Sequence, residues 1–311
     1  MNKDIRIIFM GTPVFATSVL KMLIAENYNV VAVVCQPDKL VGRKQVLTFC
    51  DVKKCALEYN IPVLQPQKIS HEYQEVLDYQ PDLIITCAYG QFIPKALLDY
   101  PRLGCVNVHG SLLPKLRGGA PIQHAIIDGY QTTGMTIMEM DEKMDSGAII
   151  SQKEIAIEIK DTYRTLHNKL MDIAASLLKD TMASIIEQSY QPIKQQDSEV
   201  TFGMNISKEE EKIDLKKSYM QVYNQIRGLI DNPYGYIVID DKKIKLCEVE
   251  ISDITSEKQN GTIVFVNKDL GLVVDNKVII VKQLQPEGKS IMTARDYRNG
   301  AGRNIENKVA Q

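Results

Sequence analysis

A chain of 311 residues with 44% hydrophobic and 24% charged side chains is a globular protein long enough for about two domains. A net charge of −2 excludes a protein that coats nucleic acid by bulk charge, so any grip on phosphates must come from a few local lysines and arginines. No apolar run reaches the ~18 residues a membrane helix needs. Lys3, Asp4 and Arg6 interrupt the N-terminus as a signal segment, and a cytoplasmic protein is expected.

Strands are predicted over residues 5–10, 30–35, 62–64, 83–88 and 105–108, alternating with helical patterns over 13–26, 49–59, 71–79 and 121–127. Near-continuous apolar strands such as DLIITCA belong in a sheet covered on both faces, and the strand-helix alternation implies parallel pairing. The fold class is therefore α/β, a doubly wound and mostly parallel sheet. Ligands in such sheets bind beyond the carboxyl ends of the strands, where Tyr89-Gly90 and Val108-His109 fall.

Two further strands, 134–140 and 148–159, flank the loop that carries Asp145. A long amphipathic helix follows from Asp161-Thr162 to about Ser189, with Leu166, Leu170, Ile173, Ala174, Leu177 and Leu178 at helical spacing. The polar run YQPIKQQDSEVTFG has neither period and is taken as a linker. From Ser207 a helical start and a second helix over 220–230 lead through the turn DNPYG to short strands at 236–240, 245–251, 261–267, 271–274 and 278–284, which suggest a small antiparallel barrel. The expected domains are 1–189, a linker over 190–206, and 207–311. The first, with strands and helices of its own, is expected to fold without the second.

The stretch CVNVHGSLLPKLRGGAPIQ, residues 105–123, holds the chemistry. Asn107 and His109 lie two apart at a strand end, so their side chains share a face and can meet one reacting atom. A lone Asn-x-His is more often structural, but the following Gly110 and a carboxylate at Asp145 in a turn favour a site, because a nearby carboxylate stabilises a charged imidazole. Asp141 and Glu142 are solvated turn charges on this reading, His71 falls in a polar helical face, and His124 and His167 lie on helices without a matched carboxylate. The six cysteines form no CxxC pair and no cluster with zinc spacing, so no metal is expected, and Cys35, Cys87 and Cys105 belong to apolar strands as buried thiols. The opening IIFMGTP lacks GxGxxG and places Pro13 where a nucleotide loop needs a free amide.

Asn107 through SLLP, RGGAPIQ and Asp145-Ser146-Gly147 resembles the folate-dependent formyltransferases. APIQ, the opening RIIFMGTPVFA and the chain length point, within that family, to members whose acceptor is initiator methionyl-tRNA. The resemblance implies a smaller OB-like β-barrel after the α/β part, and transfer of a formyl group from 10-formyltetrahydrofolate to an amine. Asn107, His109 and Asp145 would be catalytic. Ser111, Leu112, Leu113 and Pro114, with Tyr89, Gly90, Phe92 and Ile93 of the loop over 87–94, would line the folate. Lys39, Arg43 and Lys44 in the loop over 36–46 and Lys208 in SKEEEKI would touch tRNA phosphates, and a monomer is expected. The loop departs from many relatives in carrying LTFCD where they are Pro-rich and more basic. The rival chemistries are formyl transfer to a nucleotide-linked amino sugar, opposed by GGAPIQ and the basic loop, and hydrolysis of 10-formyltetrahydrofolate. A non-catalytic folate- or nucleotide-binding protein would have no need of all three residues.

Overall fold

The computed structural model describes residues 4–42 and 45–311. The chain runs β1 (Ile7–Gly11), α1 (Val14–Ala25), β2 (Val30–Val34), β3 (Lys39–Val41), β4 (Val46–Thr48), α2 (Asp51–Glu58), β5 (Val63–Leu64), α3 (Gln74–Leu77), β6 (Leu83–Cys87), α4 (Lys95–Leu98), β7 (Cys105–His109), α5 (Pro121–Ile127), β8 (Thr132–Glu139), β9 (Ile149–Ala156) and α6 (Tyr163–Glu187). Seven of these strands form one sheet in the order β5-β2-β1-β6-β7-β8-β9. The first five are parallel, and β8 pairs antiparallel with β7. Every residue of β1 and β6 is buried, as their unbroken apolar sequences require of strands covered on both faces.

Strand order reverses between β1 and β6, and the crevice at that switch point is where such sheets bind ligands. Side chains brace it: the Thr12 hydroxyl and the Gln36 amide both donate to the Tyr89 carbonyl, at 3.0 and 3.1 Å.

The second part of the chain runs α7 (Tyr219–Leu229), β10 (Tyr236–Ile239), β11 (Lys242–Glu250), β12 (Ile263–Val266), β13 (Asp269–Val274), β14 (Lys277–Pro286), β15 (Met292–Thr293) and α8 (Ala294–Asn299). Its strands are ordered β10-β11-β14-β13-β12, all antiparallel, with β15 on β14. The C-terminal tail closes this sheet. Val238 exchanges two backbone bonds with Gln311, at 3.0 and 2.9 Å, while the Ile263 and Ala310 amides donate to Lys308 and Gly261 carbonyls, at 2.8 and 2.9 Å. Both edge strands, β10 and β12, are thereby capped by one segment. No helix starts at Ser207. A single turn forms instead, closed by the Glu211 amide on the Ser207 carbonyl at 3.3 Å, after which Glu211 and Ile213 exchange backbone bonds with Tyr236 in β10, at 2.8 and 2.9 Å.

By contacts the chain divides into two units, residues 1–121, 133–155 and 167–204 in one, and 122–132, 156–166 and 205–311 in the other. The segment over 190–204, read from sequence as linker, is packed into the first unit: Ile193 exchanges two backbone bonds with Ile149, at 2.8 and 2.9 Å. Among the described residues, no helix is long and apolar enough to cross a membrane.

Candidate active site

β7 carries Asn107 and His109 to the end of the sheet on one face. In the register between β6 and β7, Thr86 lies opposite Asn107. The Thr86 hydroxyl donates to Asn107 Oδ1 at 2.9 Å, which turns the amide so that Nδ2 points to Asp145 Oδ1 at 3.4 Å. The same carboxylate oxygen stands 3.7 Å from His109 Nδ1, with both side chains largely buried, 6% and 16% exposed. The three predicted catalytic residues therefore converge on one carboxylate.

The imidazole is held more fully than the sequence suggests. A carbonyl oxygen can only accept, so His109 Nε2 donates to Leu116 O at 3.0 Å. With Nε2 spent on the backbone and Nδ1 turned to Asp145, the ring directs its two nitrogens at the protein. Asn107 Nδ2 is the donor of the set best suited to a reacting oxygen.

Asp145 itself takes a left-handed conformation, φ 48°, which costs roughly 1–2 kcal/mol for a residue with a side chain and is tolerated best by Asp and Asn. Two glycines make that conformation possible. Gly118, at φ +119°, donates its N–H to Asp145 Oδ2 at 2.9 Å, and a Cβ there would lie 2.8 Å from the Gly203 carbonyl. A Cβ on Gly147 would sit 1.9 Å from the Glu139 carbonyl, so the turn passes β8 only with glycine at this point.

Of the predicted folate residues, several build the frame. Ser111 is fully buried and its hydroxyl donates to the Lys115 carbonyl at 2.6 Å. Leu113 packs with Met138 and Ile149, and Tyr89 and Ile93 pack in the core against Ile8, Met10 and Ile84. Burial pushes the Tyr89 phenol above its ordinary range, and its hydroxyl is buried without a hydrogen-bond partner. Leu112 and Pro114 are half-buried, Gly90 is exposed, and Phe92 is 72% exposed.

Lys39 and Lys208 are exposed, whereas Arg43 and Lys44 lie outside the described residues. The loop expected over 36–46 is the start of a hairpin, β3 against β4, which exposes Leu40, Val46 and Leu47 by more than half. Its base is tied by Lys53, whose ammonium reaches Asp38 at 2.5 Å and Gln65 at 2.6 Å and covers the Phe49 ring at 4.0 Å. The ammonium holds the Asp38 carboxyl below its ordinary range. A depression of about 420 Å³ lined by Ser218, Tyr219, Asp275 and Lys277, among others, contains none of the predicted site residues.

Sequence reasoning missed Thr86, Gly118, Arg117 and Gln195. Arg117 and Gly118 open the RGGAPIQ motif. Gln195 carried no signal, being one glutamine in a polar run. Its amide donates to the Asp145 and Gly147 carbonyls at 2.9 and 2.8 Å.

Residues 5–182 match the model of the formyl transferase family, and residues 205–302 match that of the formyl transferase C-terminal domain. The chain belongs to the formyl transferase family. It is 48% identical over 307 residues to the methionyl-tRNA formyltransferase of Staphylococcus aureus strain MW2, covering 97% of this chain and 98% of that relative. Among solved structures it resembles WlaRD, a sugar 3N-formyl transferase, with a TM-score of 0.68 at 22% identity over 92% of this chain and 99% of that one. HypX from Aquifex aeolicus in complex with tetrahydrofolic acid gives a TM-score of 0.67 at 13% identity, over 97% of this chain and 48% of that one. At these identities the two solved structures share the family fold with this chain.

Proposed function

We propose that the chain transfers the formyl group of 10-formyltetrahydrofolate to the α-amino group of initiator methionyl-tRNA, in the cytoplasm. The observation that carries the acceptor is 48% identity to a methionyl-tRNA formyltransferase over 97% of the chain. The amino-sugar alternative has support only from structures at much lower identity.

The site suits direct attack. The amine nitrogen bonds to the formyl carbon, the carbonyl electrons move to oxygen, and collapse breaks the bond to folate N10, which takes up a proton. Free α-amino groups titrate near ~7.7–8.0, so a neutral nucleophile is available at cellular pH. Asn107 Nδ2 supplies a preorganised donor for the developing oxyanion. His109 and Asp145, held as a pair, carry the proton that the amine loses. A covalent enzyme intermediate has no candidate at Ser111, whose hydroxyl is bonded to the backbone. Leu112, Pro114 and Phe92 offer apolar surface to a flat heterocycle. Lys39, Arg43 and Lys44, in the stretch over 36–46, take tRNA phosphates, and the barrel part from 207 to 311, with Lys208, helps to hold the tRNA.

The purified protein is given 10-formyltetrahydrofolate with charged initiator tRNA, a nucleotide-linked amino sugar, or buffer alone. Formyl-methionyl-tRNA is the expected product. Formylated sugar as the preferred product, or formate release equal with and without an amine, overturns the proposal.

A further inference from the structure

We infer that Gln195 and Arg117 are positioning residues that set the catalytic carboxylate, an inference that rests on Asp145 acting as proposed above. Gln195 belongs to a strap, residues 190–204, that runs along the active-site loops. Ile193 pairs with Ile149 at the start of β9. Thr201 and Gly203 exchange backbone bonds with Arg117, at 2.9 and 2.8 Å, and Gly203 O accepts from Ala120 at 2.8 Å.

Between these anchors the Gln195 side chain is only 6% exposed and its amide is fully used. Nε2 spends its two hydrogens on the carbonyls of Asp145 and Gly147, at 2.9 and 2.8 Å. Oε1 accepts twice from the buried guanidinium of Arg117, from Nε at 3.0 Å and Nη2 at 2.7 Å. An amide supplies two donors and two acceptor lone pairs, and no other uncharged side chain of this reach does both. A glutamate would turn an oxygen toward two carbonyls.

The consequence falls on Asp145. Its carboxylate is fixed by the Gly118 N–H, one residue from Arg117, and its main chain is fixed by Gln195, which Arg117 orients. One unit therefore clamps both ends of a residue in a left-handed conformation. The clamp aims the carboxylate between Asn107 Nδ2 and His109 Nδ1. Gln195 touches neither nucleophile nor formyl group in this scheme; it acts through Asp145.

Gln195→Leu removes donors and acceptor at similar volume, and Gln195→Asn keeps a buried amide too short to span both carbonyls. Steady-state kinetics with methionyl-tRNA, and thermal unfolding of each variant, test the assignment. Small displacements of a catalytic group cost up to about 100-fold in rate. A kcat loss of roughly 10- to 100-fold is expected in folded protein, with the KM for 10-formyltetrahydrofolate within about twofold of the parent. If the leucine variant does not fold, the asparagine variant carries the same expectation. A folded variant with parental kcat overturns the inference, as does a loss that falls on the KM for folate instead. A parent that formylates no methionyl-tRNA overturns the proposed function instead.

Discussion

Cys50 is a residue whose chemistry is set entirely by its neighbours. It caps the N-terminus of α2, accepting the Lys53 N–H at 3.4 Å. The Cys35 thiol donates to it, and this bond, with the Lys53 N–H, holds the Cys50 thiol well below the ordinary thiol range, against the opposing effect of burial. Cys35 moves the other way, because its proton is the one shared and it is buried. As pH rises, Cys50 should therefore become thiolate before an ordinary thiol does, while Cys87 and Cys105, pushed up to about 12 by burial, stay protonated. Alkylation by iodoacetamide followed by peptide mapping should label Cys50 first, with a half-maximal rate at a pH well below the ordinary thiol value, and Cys35→Ala should raise that midpoint. A parental midpoint near ~8.5, the ordinary thiol value, rules the arrangement out. None of this was legible from spacing, since fifteen positions separate the two cysteines and an expected buried thiol at Cys35 has no visible partner. That Asn107 and His109 share a face was legible for the opposite reason: the two-residue period of a strand is local and needs no knowledge of the fold, whereas Asp145 could be joined to them only through its turn and the family resemblance. Gln195 depends on four bonds made across the chain, and its sequence context carries no trace of them.

At the scale of elements, what could be read was what periodicity encodes. Long apolar strands such as β1 and β6 and the helices α1 and α6 fall where their patterns place them, within a few residues. Short elements depend on context: the pattern over 71–79 contracts to the four residues of α3, and α4 and α8 were not anticipated. The tail is the clearest case. Residues 308–311 carry no strand period, yet they supply four backbone hydrogen bonds that join β10 to β12. Each such bond is worth roughly 0.5–1.5 kcal/mol net, so deleting residues 308–311 should destabilise the barrel part by about 2–6 kcal/mol. Calorimetry of the deleted and full chains checks this. Deletion should also leave two unpaired strand edges and increase self-association, read by light scattering. An unchanged unfolding profile would mean that the tail closes nothing in solution.

The whole molecule is less divisible than its sequence implies. A break near 190–206 suggested a self-standing α/β domain, but two stretches inside that domain, 122–132 and 156–166, group with the barrel part. Ile127, at the end of α5, packs against the core formed by α7 and the antiparallel strands. The buried Arg227 of α7 donates to the carbonyls of Glu158 and Asp161, at 3.0 and 2.7 Å. Arg164 pairs with Asp231, its Nε reaching Oδ2 at 2.8 Å. Removing residues 205–311 strips these partners from both stretches. The carbonyls of Glu158 and Asp161 would exchange Arg227 for water at little net cost, but each large apolar side chain returned to water, Ile127 among them, costs ~1.5–3 kcal/mol. Against a total stability of about 5–15 kcal/mol, three or four such side chains remove most of the margin. A chain ending at Met204 should therefore be aggregated or non-cooperative in thermal melts and should transfer no formyl group even to a small methionine ester, so that tRNA grip and chemistry are lost together. A soluble, cooperatively unfolding fragment that still formylates the ester would show that the interleaved stretches contribute little, and that the two parts are separable after all.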